Sequence, residues 1–162
     1  MRLDELTRKE LAADTDTVTR NRSKLIPYFR YAGITEDYTV LMRVRSVTAK
    51  PPREYLVKIK LLEYPDIAED EDLTVQEKVR LAITGDVAIS CSCPAFLYWG
   101  FDYIVSQLDS KAGPEQTIFP KVRNPKLLGV MCKHCYKAVN GFGTSWNRIA
   151  SDIMNGRFVR EW

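Results

Sequence analysis

The chain has 162 residues, 45% of them hydrophobic and 28% charged, with 24 Lys plus Arg against 21 Asp plus Glu. That is the length of one domain and the composition of an ordinary folded protein, which excludes a disordered or fibrous chain. A net charge of +3 is too small to demand a polyanionic partner, no run approaches the roughly 18 apolar residues of a membrane span, and the charges in residues 1–10 stand where a signal peptide needs an apolar core.

Residues 1–30 read as an N-terminal arm. Within it, residues 3–13 are expected to form a short docking helix, with Leu3, Leu6 and Leu11 near one face and Asp4, Glu5 and Glu10 outside. Residues 15–24 carry one apolar side chain and alternate Arg20, Arg22 and Lys24, the pattern of an extended or loosely ordered connection ending near Pro27. Residues 31–162 are then a single α+β domain. Residues 38–47 and 54–62 are rich in Val, Ile, Leu and Tyr; Tyr55, Val57, Ile59 and Leu61 alternate with Lys58 and Lys60, so both segments are expected as strands. Pro51 and Pro52 between them cannot donate to an interior ladder and mark a hairpin loop.

The acidic stretch 65–72 reads as an exposed loop. Val79, Leu81 and Ile83 then alternate with Lys78 and Arg80 as in a strand, Thr84 to Asp86 supply turn chemistry, and residues 87–93 continue as a further strand carrying Cys91 and Cys93 at its end. Pro94 suits the first turn of a helix, and residues 95–108 behind it are apolar nearly all round. Core burial is the default for such a helix, yet a small domain has difficulty covering that much aromatic surface, so Phe96, Trp99, Phe101 and Tyr103 are candidates for packing against a partner protein. Residues 111–130 form a long loop whose ends need fixing. A helix over 132–139 stopped by Gly141, and a last helix capped by Ser145 with Trp146, Ile149 and Ile153 on one face, complete the chain.

Four cysteines in a chain without an export signal favour a metal site over a disulfide framework. Residues two apart in a strand share a face, so Cys91 and Cys93 can present both sulfurs to one point. Cys132 and His134 supply the other half of a tetrahedron if Cys132 precedes its helix and His134 lies in the first turn. Three thiolates and a neutral imidazole around Zn²⁺ leave one net negative charge, which Lys133, Lys137, Arg123 and Lys126 stand near in sequence to offset. Cys135 can replace either Cys132 or His134, but it begins an apolar face shared with Val139, so His134 is preferred. Cysteines buried without metal are the plain alternative. The lone histidine is taken up as a ligand, which removes the best catalytic candidate, and Cys132 with His134 is a poor nucleophile pair because residues two apart in a helical turn point apart. The chain is therefore expected not to be an enzyme.

The pattern CSC at 91–93 followed by CKH at 132–134 resembles a SWIM-type zinc finger, in which two cysteines one residue apart on a strand precede a variable insert and a Cys-x-His opening a helix. The resemblance covers about residues 79–140 and implies a small antiparallel sheet with helices around a structural zinc site. CSCPAFLYWGFDYI and RNPKLLGVMCKHC further resemble a variant in uncharacterised structural proteins of tailed bacteriophages. That implies a zinc-binding component of a capsid, neck or tail, located in the virion, assembled in the host cytoplasm and engaging other virion proteins. SWIM-type fingers are also associated with nucleic acid, and Arg43, Arg45, Lys58 and Lys60 can line one sheet face for DNA or RNA, although exposed strand positions are commonly charged.

Overall fold

A computed structural model describes residues 1–13, 16–46 and 49–160, with the backbone alone at 16–18. Thr15, Val47 and Trp162, at the ends of segments inferred above, lie outside the described residues. The fold is α+β. Four antiparallel strands, β1 (Phe29–Ile34), β2 (Thr39–Ser46), β3 (Arg53–Leu61) and β4 (Val87–Cys91), lie in the order β1-β2-β3-β4. The strand β1, not expected from sequence, carries a bulge between Tyr31 and Gly33 that breaks its alternation. Among the described residues no helix is long and apolar enough to cross a membrane.

The period-2 pattern of β2 and β3 decides which face is buried. Val40, Met42 and Val44 stand opposite Ile59, Val57 and Tyr55, and all of these but Tyr55 are fully buried under the helices. Helix α7 (Lys133–Gly141) lies across this face, touching all four strands, with α8 (Trp146–Met154) beside β1. The N-terminal helix α1 (Leu3–Leu11) buries Leu6 and packs on α2 (Asp16–Lys24) and α7. Within α1, Glu10 is fully buried while Leu11 is 42% exposed, the reverse of the expected facing.

Further expectations from sequence are corrected. Residues Asp16–Lys24 are helical; packing on α7 overrides the weak propensity of Thr and Asn. The alternation at 78–83 belongs to a helix, α4 (Val75–Thr84), started by a capping box in which Thr74 Oγ1 accepts from the Glu77 amide and Glu77 carboxylate accepts from the Thr74 amide. Val75, Val79, Ala82 and Ile83 form its inward face at helical spacing, and Leu81 points out. The acidic segment begins with a short helix, α3 (Tyr64–Ala68), before its exposed turn.

The helix expected over 95–108 is two helices, α5 (Pro94–Tyr98) and α6 (Phe101–Gln107), separated by Gly100 at φ 72°. A Cβ there would lie 2.3 Å from the Pro120 ring, so glycine is required by both backbone and neighbour. Gly141 does not stop α7 by a left-handed turn: its φ is −99°, a 3-10 turn (Phe142–Ser145) leads straight into α8, and Ser145 makes no side-chain cap. Gly141 instead admits the Phe29 ring, which a Cβ would meet at 1.9 Å.

Candidate metal centre

Cys91 ends β4 opposite Val57 on the helix-covered face. Cys93 is not in the strand. It is the residue before α5, with extended backbone at φ −77° and ψ 146°, and the intervening Ser92 exchanges hydrogen bonds with the Leu56 backbone, its amide donating to the carbonyl and its hydroxyl accepting from the amide, both at 2.9 Å. Extended geometry therefore continues one step past β4, and both sulfurs turn inward as the two-residue spacing requires. On the other side Cys132 is the N-cap of α7 and His134 lies in its first turn, the arrangement the sequence demanded.

The donor atoms of Cys91, Cys93, Cys132 and His134 all lie within 4.8 Å of one another in a buried cluster. A tetrahedron with Zn–S bonds near 2.3 Å has edges of about 3.8 Å, so these donors need to close by no more than about 1 Å. His134 Nδ1 is 3.9 Å from Cys132 Sγ, and His134 Nε2 is buried without a hydrogen-bond partner among the described residues. A buried polar atom left so costs about 1–3 kcal/mol, a penalty that ligation through Nε2 would remove and ligation through Nδ1 would leave in place. Three sulfurs and one nitrogen are a donor set for a soft or borderline metal, without the oxygen ligands that calcium or magnesium require. The residues present fit a metal ion.

The electrostatics of the sulfurs agree. Burial raises the Cys132 thiol, but hydrogen bonds from Cys135, Cys91, Cys93 and His134 outweigh it and hold Cys132 well below its ordinary value. The Cys135 amide also donates to Cys132 Sγ at 3.5 Å, as an N-cap acceptor attracts it. Cys91 is pushed well up by burial and then by its hydrogen bond with Cys132. Cys93 is pushed up to about 12, first by its hydrogen bond with Cys132. The cluster thus favours the thiolate at Cys132 over its neighbours, and a dication would draw off the protons of the other two thiols.

Cys135 is fully buried, 3.9 Å from the Ser90 carbonyl, and stands outside the set of four. The Tyr55 ring lies against the His134 ring with centroids 4.8 Å apart. Residues that sequence reasoning did not single out also frame the site: Tyr55 from β3, and Glu10 of α1, whose Oε2 accepts from the Val130 and Met131 amides just before Cys132. Glu10 sits at an amphipathic-helix position that charge alone assigns to solvent, so no local signal marks it.

The aromatic candidates divide. Phe96 and Phe101 are core residues, 2% and 7% exposed, and their rings pack together, so neither is available to a partner. Tyr103 is half-buried with its ring edge-on to Phe119. Trp99 is 43% exposed, and Leu97 and Tyr98 beside it are more open still. Arg43, Arg45, Lys58 and Lys60 do share the sheet face opposite α7, since Arg43 pairs with Leu56, Leu41 with Lys58, Arg45 with Glu54 and Thr39 with Lys60, and Lys58 lines a cavity there with Leu97, Tyr98 and Asp102 of α5 and α6. Acids from the same chain meet them there: Lys60 binds Asp37 at 2.8 Å, and Glu54 lies 3.4 Å from Arg30 and 3.9 Å from Arg43.

The fold and site define an α+β protein with a buried Cys/His cluster positioned so that it could hold a metal ion. Compared with protein-family models, curated proteins and solved structures, the chain matches none.

Proposed function

We propose that this protein is a non-enzymatic, zinc-stabilised interaction module of the SWIM type, and that it serves as a component of a tailed-phage particle through protein–protein contacts. The convergence of Cys91, Cys93, Cys132 and His134 within 4.8 Å carries the reading of zinc. Held by these four, the ion would join the end of β4, the start of α5 and the start of α7. A site closed by four protein ligands leaves no open position for metal-bound water, so the ion's contribution is structural. The phage assignment rests on the sequence phrasing around the two half-sites.

Support for protein contacts comes from the surface next to the metal centre. Leu97, Tyr98 and Trp99 are exposed at the end of α5, and Ile118 and Val122 of the following loop are 74% and 88% exposed. Pro120 against Gly100 joins the two segments into one neighbourhood. Apolar side chains gathered this way are the ordinary mark of a binding surface. The alternative, nucleic-acid binding by Arg43, Arg45, Lys58 and Lys60, has the shared face in its favour and the pairing with Asp37 and Glu54 against it.

Elemental analysis of the purified chain beside Cys91→Ser and His134→Ala tests the zinc reading. The expected result is about one zinc per chain, lost in both variants together with a lower melting temperature, and a chelator reproducing the loss in the parent. Metal-free protein purified under reducing conditions, with an unchanged melt in both variants, would sink it. Salt-dependent DNA or RNA binding that disappears when the four basic residues are neutralised would transfer the function to the alternative.

A further inference from the structure

The loop that delivers Cys132 is held by a residue 120 positions away. Residues 113–130 contain no helix or strand, so the amides of Val130 and Met131, both buried, have no ladder to join. Buried amides require partners, and a carboxylate is a stronger acceptor than a neutral carbonyl. Glu10 Oε2 supplies it, at 2.6 Å from the Val130 nitrogen and 3.1 Å from the Met131 nitrogen. The Met131 peptide leads directly into Cys132, so fixing these two amides fixes where the Cys132 sulfur stands relative to Cys91 and Cys93.

The other end of α1 is tied to the opposite end of β4. The Met1 carbonyl accepts from the Val87 amide at 3.0 Å, the Met1 amino group lies 3.4 Å from Asp86, and Arg2 bridges Asp86. The helix therefore spans from the start of β4 to the loop that completes the cluster begun at that strand's end. It packs on α2 and on α7, the helix that bears His134.

We infer that Glu10 is the positioning residue of the metal centre, and that docking of α1 and retention of the metal are coupled. This rests on the zinc reading above. Coupling between two events is reciprocal: a metal ion that fixes Cys132 holds residues 130–131 ready for Glu10, and a docked Glu10 holds Cys132 ready for the metal. The N-terminal segment then acts as a strap on the site, and its release opens the cluster.

The test uses the full-length, zinc-loaded chain and a chromogenic chelator that reports the rate of metal release. Glu10→Ala is expected to release zinc about 10-fold faster, the scale on which residues that orient ligands act, and Glu10→Gln, which keeps an acceptor oxygen, to recover most of the difference. Ile149→Val, which trims the core under α8, serves as a control of comparable instability and is expected to release at the parental rate. In the parent chain, stripping the zinc is expected to raise hydrogen exchange at the α1 amides. Release from Glu10→Ala no faster than from Ile149→Val, or α1 exchange indifferent to the metal, overturns the inference while leaving the zinc site standing. A parent chain that binds no zinc overturns the proposed function itself, and the coupling with it.

Discussion

The rings of Tyr55 and His134 meet at a centroid distance of 4.8 Å and an interplanar angle of 50°, which places a β3 side chain against the imidazole of the metal cluster. Tyr55 faces the helices because its strand alternates, and α7 carries His134 over it. The contact limits the rotation of the imidazole, and with it the direction in which the ring nitrogen points.

Loss of that contact should weaken the metal site without abolishing it. Tyr55→Ala is expected to lower zinc affinity about fivefold, corresponding to about 1 kcal/mol for an aromatic pair, and Tyr55→Phe to leave it unchanged. Competition against a chelator of known affinity measures both. Equal affinity in all three proteins would show that α7 alone orients His134.

Cys135 gives a test of ligand identity. Its amide supports Cys132 while its own sulfur lies toward the Ser90 carbonyl. Cys135→Ala is therefore expected to keep one zinc per chain, at a cost in stability of the size expected for trimming a small buried side chain, whereas Cys132→Ala should lose the metal. Zinc lost from Cys135→Ala and kept in His134→Ala would exchange the roles of the two neighbours.

Asp37 sets an acid dependence apart from the metal. Burial raises its carboxyl, but hydrogen bonds from Lys60, Thr35 and Thr39 outweigh this and hold it at about 2, below its ordinary 3.8. A carboxylate with a depressed folded value contributes stability that is complete above about pH 4 and is lost as the pH falls toward 2. The side chain is 54% exposed, so solvent screening keeps the contribution below about 1 kcal/mol. Asp37→Asn should accordingly melt slightly below the parent at pH 7, and the gap should narrow between pH 4 and pH 2. A constant gap across that window would show that the Asp37 carboxyl is not depressed in the folded chain.

Much of this protein was legible along the chain. Composition marked β2 as a strand, the alternation of Tyr55, Val57, Ile59 and Leu61 marked β3, and the spacing of Cys91, Cys93, Cys132 and His134 marked the donors, because two-residue spacing in extended chain and a cap followed by a first helical turn are local geometries. The capping box of Thr74 and Glu77 was also present, and the alternation of Val79, Leu81 and Ile83 obscured it, since a five-residue window fits both periods. Other features had no local mark. Asp16–Lys24 is helical through its packing on α7, β1 is a strand because β2 offers it an edge, and Gly100 breaks an apolar run because Pro120 arrives from another segment.

The sequence by itself determined the donors, their order and the local geometry that lets each pair converge, since these depend on backbone periodicity over two or three residues. Only the tertiary structure decided that the two pairs meet, that Phe96 and Phe101 belong to the core while Leu97 to Trp99 face outward, and that Glu10 turns inward. A charged side chain on an amphipathic helix is assigned to solvent by every local rule, and what reverses the assignment is a pair of buried amides 120 residues away that donate to its carboxylate.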